Sequence, residues 1–435
     1  MRIGDRVDNL SVNSNKPLDS HHAKPPQDTL NHALQRLKLL EQDIFLGIEE
    51  IGHLDTMGLP VYRVACAQRA NEWGKGATIA QCQASAVMER VERYSSMASS
   101  HENKQTIRDS FNNLHDAISR NAFGLTNLHR VFYTEEKIDS MQMDWVQAQS
   151  LIDNKKKWVP AQWVFFRYPL DIFWDVGCTT GLASGNMQEE AIHHALCEVM
   201  ERHQLHVNTF NRPPLRQIDL STVENPALKQ ILSDLKKKGF VVIANDLSGN
   251  WKLSTVSVFI YHPHEHIANF TDYFHLGTSS DPEIALIRAI TEAAQYRAIY
   301  RFVGNEIMPG NDFFGLVPSK VKDTYQWITK DPKKISMQEV TKTAGSPKKE
   351  IEIAVKDINE HGFDALFFDH THPALQIPVV RVLVPGLQPN FLMHNYHHHD
   401  KKAIVTPHLS IYESVIERCK NRQLRNQKLD EIVAL

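Results

Sequence analysis

The strongest constraint on this chain is an acidic pattern that occurs twice at the same distance from a glycine. Twelve residues follow Gly185 before Glu198, which begins the pattern ExxER. Twelve residues also follow Gly76 before Glu89, which begins a second ExxER pattern. Apolar residues recur at helical spacing in each stretch and no proline interrupts them. Each stretch therefore predicts a helix that carries acidic residues at a fixed place.

Acidic side chains of the second stretch share one face of its predicted helix. At about 100° per residue, one stripe is polar and the opposite stripe is apolar. The polar stripe holds Glu190, His194, Glu198 and Glu201, and the apolar stripe holds Ile192, Leu196 and Val199. Carboxylates on one stripe repel each other, so water, arginines or a metal ion must neutralise them. The alternative is a solvated face with ordinary helical ion pairs, which the second copy at matched spacing disfavours.

A third acidic helix is predicted over Asp281–Phe302, with Pro282 in its first turn. Glu292 shares a face of this helix with small and apolar residues, and burying a lone carboxylate there would be costly. Arg288, one turn earlier, is a candidate salt-bridge partner for it. Lys75 lies in a Gly-Lys-Gly turn before the first acidic helix, where a lysine is suited to phosphate oxygens. The Walker A pattern is absent, and such a turn alone is a weak signal.

Composition disfavours several classes of protein. The chain has 435 residues and a net charge of −3, so we expect no nucleic-acid partner. Its five cysteines form no CxxC pair, which favours reduced thiols. The N-terminus lacks an apolar signal region, and no run of about eighteen apolar residues occurs. We therefore expect a soluble, cytoplasmic protein with no membrane contact.

The chain divides into three predicted parts. Residues 1–27 are polar and contain three prolines, so they predict a flexible arm. Residues 28–57 begin with an amphipathic pattern that predicts a helix of about five turns. Residues 58–435 predict one large domain with a C-terminal helix. Within it we expect a strand over Pro60–Gln68, a loop up to Thr78, a helix over Lys104–Asn121, two strands within Asp144–Phe166 and a last helix over Leu409–Arg425.

A helix–strand–strand unit occurs twice in the predicted domain. In each copy a helical pattern stops at Gly-Phe, and an apolar strand ends in Asp six residues after that phenylalanine: Phe240 to Asp246, and Phe363 to Asp369. A second apolar strand follows each copy. The repeated unit predicts an α+β fold, with mixed sheets covered by helices.

The tract Met393–Asp400 contains four histidines. Histidine-rich tracts bind transition metals in some proteins. Adjacent histidines cannot all face one ion, however, so we predict a surface loop that is not catalytic.

Three segments, in this order, resemble the YcaO superfamily. They read GKGATIAQCQASAVMERVER, GLASGNMQEEAIHHALCEVMERH and SSDPEIALIRAITEAAQYR. They match the family's SxxxExxER, ExxER and RxxxExxQ patterns, and the similarity extends from about Gly58 to Gly386. The resemblance implies a YcaO-like fold that binds ATP and Mg²⁺ without a P-loop. The chain departs from the family at His203, where an aspartate usually follows ExxER.

The resemblance also implies roles for particular positions. The implied catalytic residues are Glu190, Arg202 and Arg288. The implied nucleotide contacts are Lys75, Ser85, Glu89, Asn186, Glu190, Arg202, Arg288 and Glu292. The implied metal ligands are Glu89, Glu92, Glu198, Glu201 and Glu292.

The activity that the resemblance implies is ATP-dependent activation of a backbone amide in a peptide or protein. The chain ends in NQKLDEIVAL without the proline-rich C-terminus of azoline-forming members. Together with the sequence VPGL at the end of the similar region, this favours thioamide formation with an external sulfur donor and a TfuA-like partner. Azoline formation from Cys, Ser or Thr is the alternative within the enzyme class. A non-catalytic nucleotide-binding accessory protein is the alternative of another class, and a homodimer is expected.

Overall fold

The computed structural model describes residues 23–40, 47–65, 72–101, 106–118, 135–166, 168, 179–264, 274–303 and 325–387. The predicted C-terminal helix over Leu409–Arg425 and the tract Met393–Asp400 lie outside these residues, as do residues 1–22 of the predicted arm. Among the helices of the described part, none is long and apolar enough to cross a membrane.

Besides the helical residues 325–329, the described chain has eight α-helices. They are α1 (Pro26–Leu37), α2 (Ile79–Ser95), α3 (Glu135–Ser140), α4 (Ala161–Val164), α5 (Gln188–Asn211), α6 (Pro226–Lys237), α7 (Pro282–Val303) and α8 (Pro347–Glu360). Short 3₁₀ turns cover Gly52–Leu54, Ala98–His101, Phe111–Asn113, Leu220–Thr222 and Met337–Glu339.

Fourteen strands form three sheets. The strands are β1 (Gly47–Glu50), β2 (Val61–Ala65), β3 (Glu72–Lys75), β4 (Ile107–Asp109), β5 (Met143–Ser150), β6 (Lys156–Pro160), β7 (Leu182–Ser184), β8 (Arg216–Ile218), β9 (Val241–Asp246), β10 (Ser254–Tyr261), β11 (Phe274–Ser279), β12 (Lys333–Ile335), β13 (Leu366–Asp369) and β14 (Val379–Leu383). The sheet orders are β1-β2-β3, β11-β10-β9-β8-β12 and β4-β5-β13-β14-β7, with β6 also paired to β5. Only the β8–β12 pair among these strands is parallel.

The three acidic helices form where the sequence predicts them, as α2, α5 and α7. Thr78 and Gln81 make a capping box that satisfies backbone donors at the start of α2. Pro282 occupies the first position of α7, where a missing N–H costs nothing. The predicted apolar stripe of α5 is buried in a core cluster that includes β14 residues. The predicted α+β class with helix-covered sheets is confirmed.

Both helix–strand–strand units are also confirmed. In the first, α6 is followed by Gly239 at φ +86° and then by antiparallel β9 and β10. In the second, α8 is followed by Gly362 at φ +84° and then by antiparallel β13 and β14. The two units contribute to different sheets, and α5 packs against β11 of one sheet and β14 of the other. The repeat therefore places α5 between two sheets.

Three local predictions were wrong, each because a short strand competes with the local pattern. The N-terminal helix ends at Leu37 rather than continuing for five turns, and Gly47–Glu50 instead pairs with β2 as β1. The helix predicted over Lys104–Asn121 is replaced by β4, which pairs with β5, and a 3₁₀ turn. The predicted loop before α2 contains β3, which pairs with β2. Pairing with a distant strand outweighs local propensity in each case.

Candidate functional site

The three acidic helices surround one cavity of about 350 Å³. Strand β3 and the residues around the start of α1 complete its wall. Ten of the eleven candidate site residues line it, and Asn186 does not. The ten are Lys75, Ser85, Glu89, Glu92, Glu190, Glu198, Glu201, Arg202, Arg288 and Glu292. The structure thus brings together side chains that lie more than 200 positions apart in sequence.

Glu292 lies beside two cationic side chains of the cavity. Its Oε2 atom forms an ion pair with the Lys75 ammonium, and its Oε1 atom lies 3.9 Å from the Arg202 guanidinium. Burial opposes ionisation of Glu292, but the charges of Lys75 and Arg202 outweigh it and lower its pKa to about 2. The prediction that Arg288 pairs with Glu292 was wrong. Nε of Arg288 has no hydrogen-bond partner among the described residues.

Three other carboxylates of the cavity have raised pKa values. Burial and the neighbouring Glu292 charge raise the pKa of Glu201 to about 7, against the opposing charge of Arg202. Burial likewise raises the pKa of Glu198, and it raises that of Glu92 well above the ordinary value. A region where several carboxylates are costly to ionise together has a strong preference for added positive charge.

Glu89 belongs to a network at the other side of the cavity. Its Oε1 atom accepts a bond of 2.9 Å from Arg93, and its Oε2 atom accepts a bond of 2.8 Å from the Trp73 backbone N–H. The Lys75 backbone N–H donates to Ser85 Oγ at 3.3 Å. These candidate ligands therefore also hold β3 against α2.

The residues that precede and begin α1 close a further side of the cavity. The Ala23 backbone N–H donates to Glu190 Oε2 at 3.1 Å, and Asn186 donates to Glu190 Oε1 at 3.1 Å. Thr29 Oγ1 donates to Asn186 Oδ1 at 3.0 Å. Asn186 thus orients Glu190 from outside the lining. Residues 23–27, predicted as part of a flexible arm, include this contact and the start of α1.

Several lining residues were missed by the sequence analysis. They are Lys24, Thr29, Trp73, Arg93, Gln295 and Tyr296. Arg93 and Gln295 are the last letters of the ExxER and RxxxExxQ patterns, so the motifs contained the signal. Lys24 and Thr29 belong to no recognisable pattern.

His203, the residue at which the chain departs from the family pattern, does not line the cavity. It is buried against Trp251, and the centroids of the two rings are 5.7 Å apart.

The donor set fits Mg²⁺ in chemical type, since carboxylate oxygens are its preferred protein ligands. Among the described residues, however, no three His, Cys, Asp or Glu side chains converge closely enough to hold a metal ion by themselves. Mg²⁺ is commonly held through one or two carboxylates together with substrate phosphates and water. The arrangement is therefore compatible with a cation shared with a polyphosphate, and it does not form an all-protein metal cage.

Carboxylates, arginines and a lysine around one cavity are typical of proteins that bind a polyphosphate together with cations. A family model described as YcaO cyclodehydratase, ATP- and Mg²⁺-binding, matches residues 73–388. This chain belongs to the YcaO family, and ATP and Mg²⁺ are the cofactors of that family.

Two other proteins are similar in sequence to most of this chain. An uncharacterized protein of Methanothermobacter thermautotrophicus is 31% identical over 366 residues, which cover 78% of this chain and 89% of the relative. A protein of Rhizobium leguminosarum bv. trifolii, described as uncharacterized and in the tfuA 3′ region, is 24% identical over 388 residues, which cover 79% and 84% of the two chains.

Solved structures confirm the fold. YcaO from Methanopyrus kandleri, bound with AMPPCP and Mg²⁺, has a TM-score of 0.69 and 23% identity, covering 88% of this chain and 96% of that one. A heterocyclase in complex with substrate and cofactor has a TM-score of 0.71 and 22% identity. The similarity covers 86% of this chain but about half (53%) of the heterocyclase.

Proposed function

We propose that this protein is an ATP- and Mg²⁺-dependent enzyme that activates a backbone amide of a peptide or protein by phosphorylating its oxygen. The observation that carries the proposal is the single cavity in which Lys75, Arg202 and Arg288 lie beside carboxylates with raised pKa values. Such a cavity favours a ligand that supplies anionic phosphates to the cations and Mg²⁺ to the carboxylates.

The carboxylates and the cationic side chains of the cavity have separate proposed roles. The metal ligands proposed are Glu89, Glu92, Glu198, Glu201 and Glu292. Lys75 and the two arginines would bind phosphate oxygens and stabilise the charge that develops during transfer. The unpartnered Nε of Arg288 suits it to this role. Glu190, held by Asn186 and the Ala23 amide, would orient the nucleotide or substrate beside them.

The proposed chemistry converts a poor leaving group into a good one. A nucleophile adds to the amide carbonyl carbon, and the resulting oxyanion takes the γ-phosphoryl group of ATP, releasing ADP. Expulsion of phosphate then breaks the carbon–oxygen bond, and the carbon forms a double bond to sulfur or nitrogen as a proton is lost. The cationic side chains contribute by stabilising negative charge on the transferred group.

We propose sulfide from an external donor as the nucleophile, which gives a thioamide, and a TfuA-like protein as partner. The description of the Rhizobium relative by its tfuA region supports this choice. The test is to combine the protein with ATP, Mg²⁺, sulfide, the TfuA-like protein encoded nearest to it and peptides from neighbouring reading frames. A mass increase from exchange of oxygen for sulfur is expected. Unchanged peptide with the site residues intact would contradict the proposal.

Azoline formation is the second candidate, because the family description names a cyclodehydratase. The same mass measurement separates the two reactions, since an azoline loses the mass of water and requires Cys, Ser or Thr. ATP turnover that does not respond to any peptide would instead favour an accessory role.

We propose a cytoplasmic location, because ATP is supplied there. Cys82 and Cys197 are free thiols, which agrees with this location. A homodimer and the division into 1–27, 28–57 and 58–435 stay predictions.

A further inference from the structure

Strand β3 lies at the edge of its sheet, and its outer edge is bonded by side chains instead of another strand. On one side it pairs with β2. On the other side, the Trp73 backbone N–H donates to Glu89 of α2 at 2.8 Å, and the Trp73 carbonyl accepts from Gln295 Nε2 of α7 at 2.8 Å. An edge strand normally leaves such groups to water or to another chain. Here both groups of one residue are satisfied by α2 and α7, two of the three helices that surround the cavity.

Gln295 differs from the other side chains that hold this edge. Ser85 and Glu89 also bond β3, but they are proposed ligand contacts, so nucleotide and metal would compete for their oxygens. Gln295 donates through its amide nitrogen to a backbone carbonyl and is 9% exposed. Its bond to β3 therefore does not use a carboxylate oxygen that nucleotide or metal would take.

Gln295 and Glu292 attach α7 to β3 at two points. They are three residues apart and so lie on one face of the helix. Glu292 pairs with the side chain of Lys75, while Gln295 bonds the backbone two residues earlier in the strand. A lysine has four rotatable side-chain bonds, so its ammonium is well placed only if its backbone is fixed.

We infer that Gln295 is a positioning residue that fixes β3 against α7 and thereby sets the reach of Lys75 into the cavity. This inference rests on the proposed function only for the task of Lys75, which is to bind phosphate in the cavity. The attachment itself is a property of the protein without nucleotide. It can therefore be tested separately from the activity.

The test is hydrogen exchange of the Trp73–Lys75 amides in the nucleotide-free protein. Gln295→Met removes the donor with little change in volume, and Gln295→Glu keeps the shape and polarity but removes the N–H group. The control is Gln162→Met, since Gln162 is equally 9% exposed and does not line the cavity. We expect both Gln295 variants to accelerate this exchange at least tenfold, which corresponds to about 1.4 kcal/mol. Exchange in β9 should stay unchanged in all three variants.

A second measurement connects the attachment to the site. Titration with AMPPCP and Mg²⁺ should show at least tenfold weaker binding in both Gln295 variants and unchanged binding in Gln162→Met. Exchange of β3 equal to that of the control in the Gln295 variants would overturn the inference, as would faster exchange throughout the molecule. Faster exchange of β3 with unaltered nucleotide affinity would overturn the link to Lys75. Failure of nucleotide binding in the unmodified protein would count against the proposed function, and the exchange result would still stand.

Discussion

Lys75 and Glu292 form an ion pair across the cavity, although 217 positions separate them in the chain. The pair joins the edge strand β3 to the helix α7 that contributes the third acidic motif. It also explains why Glu292 has a lowered pKa while Glu201, a neighbouring carboxylate, has a raised one. The negative charge of Glu292 in turn disfavours ionisation of Glu201.

Replacing Lys75 should change how the stability of the protein depends on pH in the acidic range. Ionised Glu292 contributes stability that is fully present above the ordinary glutamate pKa of 4.5 and is lost as pH falls through about 2. In Lys75→Met the pKa of Glu292 rises towards its ordinary value because a neighbouring cation is gone, so the loss of stability in acid is smaller and is complete at higher pH. Melting temperatures measured from neutral pH down into this range should show it. Lys342→Met, which breaks a surface pair with Asp281, is the control. Equal acid shifts in both variants would contradict the assignment.

Replacing Glu201 should produce the opposite pH dependence. Its pKa is raised to about 7, so its contribution is fully present below the ordinary glutamate pKa of 4.5 and is lost as pH rises through about 7. Glu201→Gln cannot ionise. Its melting temperature should therefore fall less than that of the unmodified protein between pH of about 5 and about 8. Glu189→Gln, exposed on the same helix, should behave as the unmodified protein. An unchanged pH profile in Glu201→Gln would show that Glu201 is ionised throughout.

Long periodic patterns made the acidic helices predictable. The spacing of Ile192, Leu196 and Val199 fixed one buried face of α5, and this placed Glu198 and Glu201 on the other. The repeated Gly-Phe stop likewise located four strands. Strand β3 has four residues, one of them glycine, and is stabilised by β2 and by side chains of α2 and α7. No local pattern contains that information.

The sequence predicted those cavity residues that belong to the three motifs. Each motif residue is repeated or regularly spaced, whereas Thr29 reaches Asn186 across 157 positions with no pattern to mark it. The wrong partner for Glu292 has the same cause. Arg288 is its neighbour along the helix, but the tertiary fold brings Lys75 and Arg202 closer.

A buried pair behind the cavity should be sensitive to loss of either member. Glu72 Oε1 lies 3.3 Å from Arg90, and both residues are buried. Leaving one charge without its partner costs about 3–5 kcal/mol, whereas replacing both by apolar residues costs much less. Denaturant unfolding of Glu72→Met, Arg90→Met and the double variant forms the cycle. Additive losses would show that the two residues do not interact.

Close approach of β3 to α2 should make Gly74 intolerant of a side chain. A Cβ atom there would lie 1.9 Å from the Cys82 carbonyl oxygen. Gly74→Ala should therefore displace β3, lower the melting temperature and weaken binding of AMPPCP with Mg²⁺. In Gly345→Ala, the nearest atom to the new Cβ would lie at 3.4 Å, so this control should change little. Full nucleotide affinity in Gly74→Ala would show that the position of β3 does not matter to the site.

The measurement that tests the central claim most directly follows the amide oxygen itself. A peptide substrate is prepared with a heavy-oxygen label in the backbone carbonyl that is modified, and the phosphate released during turnover is analysed by mass spectrometry. If the amide oxygen is phosphorylated and then expelled, one label appears in inorganic phosphate for each modified amide. Glu198→Gln and Arg202→Met should each abolish this transfer. Release of unlabelled phosphate together with a modified peptide would contradict the account.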